Sequence, residues 1–166
     1  MINQNLKNEN IKLRRRLNMT IVEELNIDNI DAITRFFKEV FTAEPWNDDW
    51  SNENQLHEYI KDLIGNPNSL TFGLFEKGDL IGLSMGNIRH WYTGTEYYIH
   101  EFCISTKIQG RGLGTNFLKY IEENIKERGI VQIFLQTERD VPAYKFYQKN
   151  GFYEMKDHVS FAKSLK

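Results

Sequence analysis

The spacing of hydrophobic positions changes along the chain, and each change marks an element. Residues Thr20–Leu25 read as a short strand. From Asn26 or Asp28 the apolar positions Ile30, Ile33, Phe36/Phe37 and Val40/Phe41 recur every three or four residues, which predicts an amphipathic helix with an Asx-type start. Pro45 ends it. Ser51 is the expected cap of a second helix with the face Leu56, Tyr59, Ile60 and Leu63, running to Gly65-Asn66-Pro67. Residues 70–76 and 80–91 are predicted strands joined by a turn at Lys77-Gly78-Asp79. A buried strand follows over residues 95–105. A helix with Phe117, Leu118, Ile121 and Ile125 on one face then runs to a stop at Gly129.

The apolar run at 130–137 predicts a strand parallel to the previous one, because a helix crosses between them. Asp140 is the expected cap of a helix with Pro142 in its first turn, continuing through Tyr144, Phe146 and Tyr147 to Asn150-Gly151. A last strand pair, at 152–155 and 159–162, closes the sheet. The order is β-α-α-β-β-β-α-β-α-β-β: an α+β chain whose central sheet is mixed in direction and carries helices on both faces.

Composition narrows the class. A chain of 166 residues, 40% hydrophobic and 27% charged, is expected to form one globular domain. One cysteine, Cys103, excludes an intrachain disulfide framework. No apolar run is long enough to span a bilayer and the first residues lack the apolar core of a signal peptide, so a cytoplasmic protein without a membrane partner is expected. Residues 1–18 stand apart as a basic, asparagine-rich extension, and the domain proper is expected over 19–166. Lys7, Lys12, Arg14, Arg15 and Arg16 against Glu9 give the first twenty residues a net of +4. Three consecutive arginines in such a tail read as a solvated segment before they read as a nucleic-acid site. Residues 39–62 carry the opposite charge, with Glu39, Glu44, Asp48, Asp49, Glu53, Glu58 and Asp62 against Lys61 for a net of −6.

The candidate chemistry gathers around the stretch from 95 to 128. A strand enters the loop Gln109-Gly110-Arg111-Gly112-Leu113-Gly114-Thr115, which opens a helix. Glycines let the backbone approach an anion, and the unpaired amides of a helix's first turn point at it, so this loop reads as a phosphate cradle. It lacks the Gly-Lys-Ser/Thr of a Walker loop, and Thr115 stands where a dinucleotide fingerprint requires its third glycine. Glu101 is a carboxylate inside an otherwise apolar strand, expected on one face with Tyr97, Ile99 and Cys103 and away from His100. Burial would raise its pKa and make it a better base. Cys103 reads as core packing, since no neighbouring group stabilises a thiolate. The four histidines show no metal-ligand spacing, and no metal is expected. The segment Glu44-Pro45-Trp46-Asn47-Asp48-Asp49-Trp50 combines aromatic and acidic side chains, a chemistry suited to an ammonium group.

Gln109-Gly110-Arg111-Gly112-Leu113-Gly114 resembles the Gln/Arg-x-x-Gly-x-Gly/Ala signature of the GNAT superfamily of acyl-CoA-dependent N-acetyltransferases. Glu101-Phe102-Cys103-Ile104 resembles the family's strand beside the acetyl group. Residues 143–152 resemble its later Ala-x-x-x-Tyr-x-x-x-Gly-Phe segment. The resemblance covers residues 20–162 and implies a three-layer fold with a central twisted sheet. It implies acetyl-CoA as co-substrate, held by loop amides from Gln109 to Thr115 and by the backbone of Phe102, Cys103 and Ile104. The amide of Cys103 or Ile104 would bond the thioester carbonyl. Tyr147 would stabilise or protonate the departing CoA thiolate, with Tyr144 one helical turn away as the rival hydroxyl. Asp140 stands where many members carry an asparagine that bonds the pantetheine arm. Glu101 would serve as the base, directly or through water.

The acceptor pocket is implied at Glu44, Trp46, Asp48 and Trp50, which leans toward a small cationic primary amine of aminoglycoside or polyamine type. A protein or peptide amine and a non-catalytic acyl-CoA-binding module are the alternatives. The reading is compatible with a homodimer.

Overall fold

A computed structural model describes residues 20–165. The expectations for residues 1–18 lie outside the described residues. The chain forms two compact units, Met1–Gln136 and Thr137–Lys166.

The first unit is built on a five-stranded sheet in the order β1-β2-β3-β4-β5, formed by Thr20–Leu25, Ser69–Glu76, Asp79–Trp91, Gly94–Ile104 and Gln132–Leu135. The first three neighbouring pairs are antiparallel and β4–β5 is parallel, as the crossover requires. The β2–β3 turn places Lys77 at φ 54° and Gly78 at φ 93°, the two positive values that match a hairpin's twist.

Helices α1 (Ile30–Phe41) and α2 (Glu53–Ile64) cover one face. Their buried stripes Ile33/Phe37/Val40 and Leu56/Ile60/Ile64 form one core with Leu83, Met85 and Cys103 of the sheet. Helix α3 (Leu113–Glu127) covers the other face, where Phe117 stacks on Phe102 with ring centroids 5.5 Å apart. The fold is therefore α+β with a mixed sheet between helical layers.

Four local expectations are corrected. Asn52, not Ser51, caps α2: its side-chain oxygen accepts from the amide of Gln55 at 3.1 Å, while the Ser51 amide donates to Asp49. The strand expected at 130–137 pairs only over Gln132–Leu135. In the second unit, helix α4 (Pro142–Lys149) has Val141 at its cap position with no side-chain cap bond. Pro142 has no amide to be capped and its φ is already helical, so Asp140 is not the cap. The closing strands at 152–155 and 159–162 do not form; Phe161 is 93% exposed and Val159 is 73% exposed. No helix among the described residues is long and apolar enough to cross a membrane.

The largest correction lies inside β4. Met85 pairs with Glu101, but the next residue, Gly86, pairs with Ile99. His100 is thus an extra residue on β4, a β-bulge that resets the alternation of side chains. Glu101 and Cys103 lie on the α1/α2 face with their partners Met85 and Leu83. Tyr97 lies on the opposite face, edge-on to Phe72, with its hydroxyl 3.1 Å from Ser84 Oγ. Glu101 therefore does not share a face with Tyr97 and Ile99. The bulge also leaves His100 beside Tyr98, ring centroids 4.4 Å apart, on the side that carries Glu101. Gly86 permits the irregularity, because a Cβ there would lie 2.3 Å from the carbonyl oxygen of Tyr98 and 2.6 Å from the Tyr97 ring.

Candidate active site

Glu101 is the candidate centre of the first unit's chemistry. The bulge turns its carboxylate into the space between β4, α2 and the loop that follows α1. There the hydroxyl of Tyr59, 42 positions earlier and on α2, donates to Glu101 Oε1. Tyr59 is held from two sides: its ring stacks on Trp50 at 5.2 Å and 27°, and it lies 5.8 Å from Phe37. Burial raises the pKa of Glu101 to about 7; the Tyr59 hydrogen bond works against that rise, and the negative charge of Asp48 adds to it. Burial first, then the negative charge of Glu101, the hydrogen bond to it and the charge of Asp48, push the Tyr59 phenol well above the ordinary range. A carboxylate that titrates near neutrality is suited to accept and release protons in water at physiological pH.

The 44–50 segment divides into separate roles. Asp48 lies close enough to act on Glu101, with its amide anchored on the Phe41 carbonyl at 2.9 Å. Trp50 forms the back of Tyr59, and Trp46 packs on Phe41 at 5.7 Å. Glu44 is exposed and precedes a cis bond to Pro45. The −6 charge of the region is partly neutralised in space. Glu39 pairs with Lys107 and Glu53 with Lys38, both lysines from outside the segment. Asp48 is the acidic residue of this group whose charge bears on Glu101.

The glycine loop lies between β4 and α3. Gly110 has φ 82° and Gly112 φ 74°, and a Cβ at either would meet nothing within 4 Å. These glycines serve the left-handed backbone rather than relieving crowding. Gly112 is the cap residue of α3 and offers no side chain to the first-turn amides, while Gly114 sits within that turn. The amides at the start of α3 thus have no side-chain cap, a donor set whose chemistry suits an anion. Gln109 bonds the Ile104 carbonyl at 3.2 Å, and Arg111 reaches Glu76 at 2.9 Å, so both side chains tie the loop to the sheet. The β4–β5 ladder ends at Ile99 and Leu135, and the segment of β4 carrying Phe102, Cys103 and Ile104 continues beyond it. Cys103 is buried in the core; burial first, then the nearby Glu101 charge, pushes its thiol far up, so it is no nucleophile.

In the second unit Tyr147 is 9% exposed, edge-on to Phe146 and Phe152 at 5.3 Å each. The Tyr144 hydroxyl donates to Glu154 at 3.1 Å and accepts from Gln148, and Glu154 also holds Arg139. That bond to Glu154 raises the Tyr144 pKa. Asp140 is exposed. Among the described residues no group of three His, Cys, Asp or Glu side chains is placed to hold a metal ion.

Sequence reasoning missed Tyr59 as a site residue. Its position in the stripe Leu56/Tyr59/Ile60/Leu63 reads as core, yet a phenol drawn into a core needs a hydrogen-bond partner. That requirement was the available signal.

Residues 30–152 match the acetyltransferase (GNAT) family. The chain belongs to this family. An uncharacterized protein, YxbD, of Bacillus subtilis (strain 168) is 33% identical over 90 residues, half of this chain. The chain spans 57% of the length of that curated relative. Among solved structures, an aminoglycoside acetyltransferase, meta-AAC0020, from an uncultured soil metagenomic sample was determined in complex with sisomicin. It is similar with a TM-score of 0.71 and 20% identity, over 90% of this chain and 98% of that one. A possible acetyltransferase from Clostridium difficile 630 has a TM-score of 0.74 and 16% identity, over 89% and 99% of the two chains. The aminoglycoside N-acetyltransferase AAC(6')-Iy in complex with CoA has a TM-score of 0.69 and 14% identity, over 89% and 95%. At these identities the likeness is one of fold.

Proposed function

We propose that this protein transfers an acetyl group from acetyl-CoA to a primary amine of a small cationic acceptor, by direct attack of the amine. The observation that carries this reading is the half-buried Glu101 carboxylate, which accepts from the Tyr59 hydroxyl and whose pKa burial, with the charge of Asp48, raises to about 7. An alkylammonium must lose a proton before its nitrogen is nucleophilic, and Glu101 is the residue to take it, directly or through one water. Acetyl-CoA, when bound, supplies the activated thioester. The amides at the start of α3 and the left-handed loop at Gly110 and Gly112 are the proposed holders of its pyrophosphate, with the backbone of Phe102 to Ile104 aligning the arm. Tyr147 is the proposed partner of the departing thiolate, by its place in the Tyr-x-x-x-Gly-Phe segment. An acidic side chain (Asp48) beside an aromatic pair (Trp50 and Tyr59) favours a cationic acceptor. The sisomicin complex of the metagenomic neighbour supports an aminoglycoside-type amine over other cations.

The test is release of free CoA thiol from acetyl-CoA with a panel of aminoglycosides, polyamines and peptide amines. Release with at least one aminoglycoside or polyamine is expected. Binding of acetyl-CoA without thiol release for any amine would sink the enzyme reading in favour of a binding module, and release with peptides alone would reassign the acceptor.

The same assay tests the loop. Gly112→Val forces a β-branched residue into a left-handed backbone, a strain of about 1–3 kcal/mol, at a position where the added Cβ meets nothing within 4 Å. The expected result is a rise of about tenfold in the KM for acetyl-CoA with little change in the KM for the amine. An unchanged acetyl-CoA KM would remove the loop from the cofactor site.

A further inference from the structure

The two oxygens of Glu101 are in different circumstances. Oε1 accepts from the Tyr59 hydroxyl, and among the described residues no protein hydrogen bond is formed by Oε2. Oε2 is also absent from the fully enclosed polar atoms that lack a partner. We infer that Tyr59 is a positioning residue for the reaction: its hydroxyl pins one carboxylate oxygen so that the other is presented to the acceptor amine. This rests on the reading of Glu101 as the base and adds how that base is aimed.

The geometry around Tyr59 is that of a rigid support. Its ring lies between Trp50, stacked at 5.2 Å, and Phe37 of α1, which in turn meets Trp50 edge-on at 5.4 Å. Each of the three rings therefore limits the freedom of the other two. Tyr59 occupies the third turn-face position of a helix whose neighbours Leu56 and Ile60 are fully buried, so the helix cannot rotate the hydroxyl away without exposing its core stripe. A carboxylate side chain with free χ torsions would otherwise sample several orientations, and orientation is itself a sizeable part of a rate enhancement.

The groups that face Glu101 are few. Tyr59 comes from α2, Asp48 from the loop after α1 and Cys103 from β4 itself; the bulged His100 is the adjacent residue on β4, packed on Tyr98, and Met85 across on β3 does not titrate. His100 is held toward its neutral form, first by burial and then by Arg89, so it adds no fixed charge at neutral pH. Burial raises the Glu101 pKa most, and two groups then adjust it with opposite signs. Tyr59 donates to the charged carboxylate and lowers its pKa, whereas Asp48 repels the charged form and raises it.

The experiment compares wild type, Tyr59→Phe and Asp48→Asn by two readouts: the pH profile of kcat/KM and the carboxyl carbon chemical shift of Glu101 followed by NMR titration. Tyr59→Phe keeps the ring and its stacking and removes only the hydroxyl. A hydrogen bond to a charged group is worth enough to move a pKa by about one unit. The acidic limb of kcat/KM and the Glu101 titration are expected to move together to higher pH in Tyr59→Phe and together to lower pH in Asp48→Asn. In Tyr59→Phe the rate below pH 7 is expected to fall about tenfold and to recover partly at higher pH, with the acetyl-CoA KM unchanged. A rate loss of equal size at every pH with an unmoved Glu101 titration would overturn the proposal, because that is what a merely structural tyrosine produces. The NMR titration needs no turnover, so a moved Glu101 pKa in a protein that acetylates no amine would refute the acyl-transfer reading while upholding the Tyr59–Glu101 coupling.

Discussion

Glu101→Gln is expected to lower kcat/KM for acetyl transfer by about 10²–10⁴-fold, the usual worth of a general base, while leaving the KM for acetyl-CoA close to wild type. The substitution keeps the shape of the side chain and its ability to accept from Tyr59, so the loss reports the missing proton acceptor. The sign of the pH dependence follows from the raised pKa. A carboxylic acid with a pKa of about 7 is mostly protonated below neutrality and cannot take a proton there. The wild-type rate is therefore expected to climb with a slope near one up to about pH 7 and then to level, and the glutamine variant is expected to lose that limb. A glutamine variant with the wild-type pH profile would show that some other group, or the solvent, removes the proton.

Phe37→Ala carries the largest expected effect on stability. The ring is 1% exposed and touches Phe41, Trp50 and Tyr59, so its removal leaves a cavity at the point where α1, α2 and the acidic loop meet. Truncations of this kind cost about 3–5 kcal/mol, a large share of a typical domain's stability. Chemical denaturation should show a lower midpoint with a similar slope. Tyr59 also loses one of its two supporting rings, so activity per folded molecule is expected to fall as well. A loss of less than about 1 kcal/mol would mean that the helices collapse onto the vacancy, and would count against the aromatic cluster as a rigid support.

Both predictions converge on one design. The aromatic cluster that closes the core under the acidic loop is the same cluster that holds Tyr59, and Tyr59 bonds Glu101, the proposed base. Packing and chemistry share residues here, so a stability variant at this place is expected to be an activity variant too.

The elements themselves were legible because they follow from local regularities. The period of the apolar residues marks α1, α2 and α3; the Lys77-Gly78 turn marks its hairpin; the alternation of glycines marks the loop that opens α3. A helix between two strands dictates the parallel β4–β5 pair. The candidate base was legible for a similar reason, since an acidic residue within an apolar strand is costly without a purpose. In the second unit, local signals misled at two points. Asp140 has the chemistry of a cap, but Pro142 removes the need for one. The apolar alternation near Val159 and Phe161 favours a strand, yet a strand also requires a neighbour to pair with, and the sequence does not say whether one is in reach.

By itself the sequence determined the α+β class, the order of its elements through α4, the glycine loop and the choice of Glu101 as the residue to watch. Only the tertiary structure decided which way Glu101 points and what it meets there. A single extra residue, His100, reverses the face of every side chain on one side of it, and no local pattern announces a bulge. The Tyr59 hydroxyl, 42 positions away, meets Glu101 because two helical stripes and one strand face bury themselves together. Hydrophobic periodicity reports which face of an element is buried. It carries no record of the partner across the core, and the proton chemistry proposed for this site depends on that partnership.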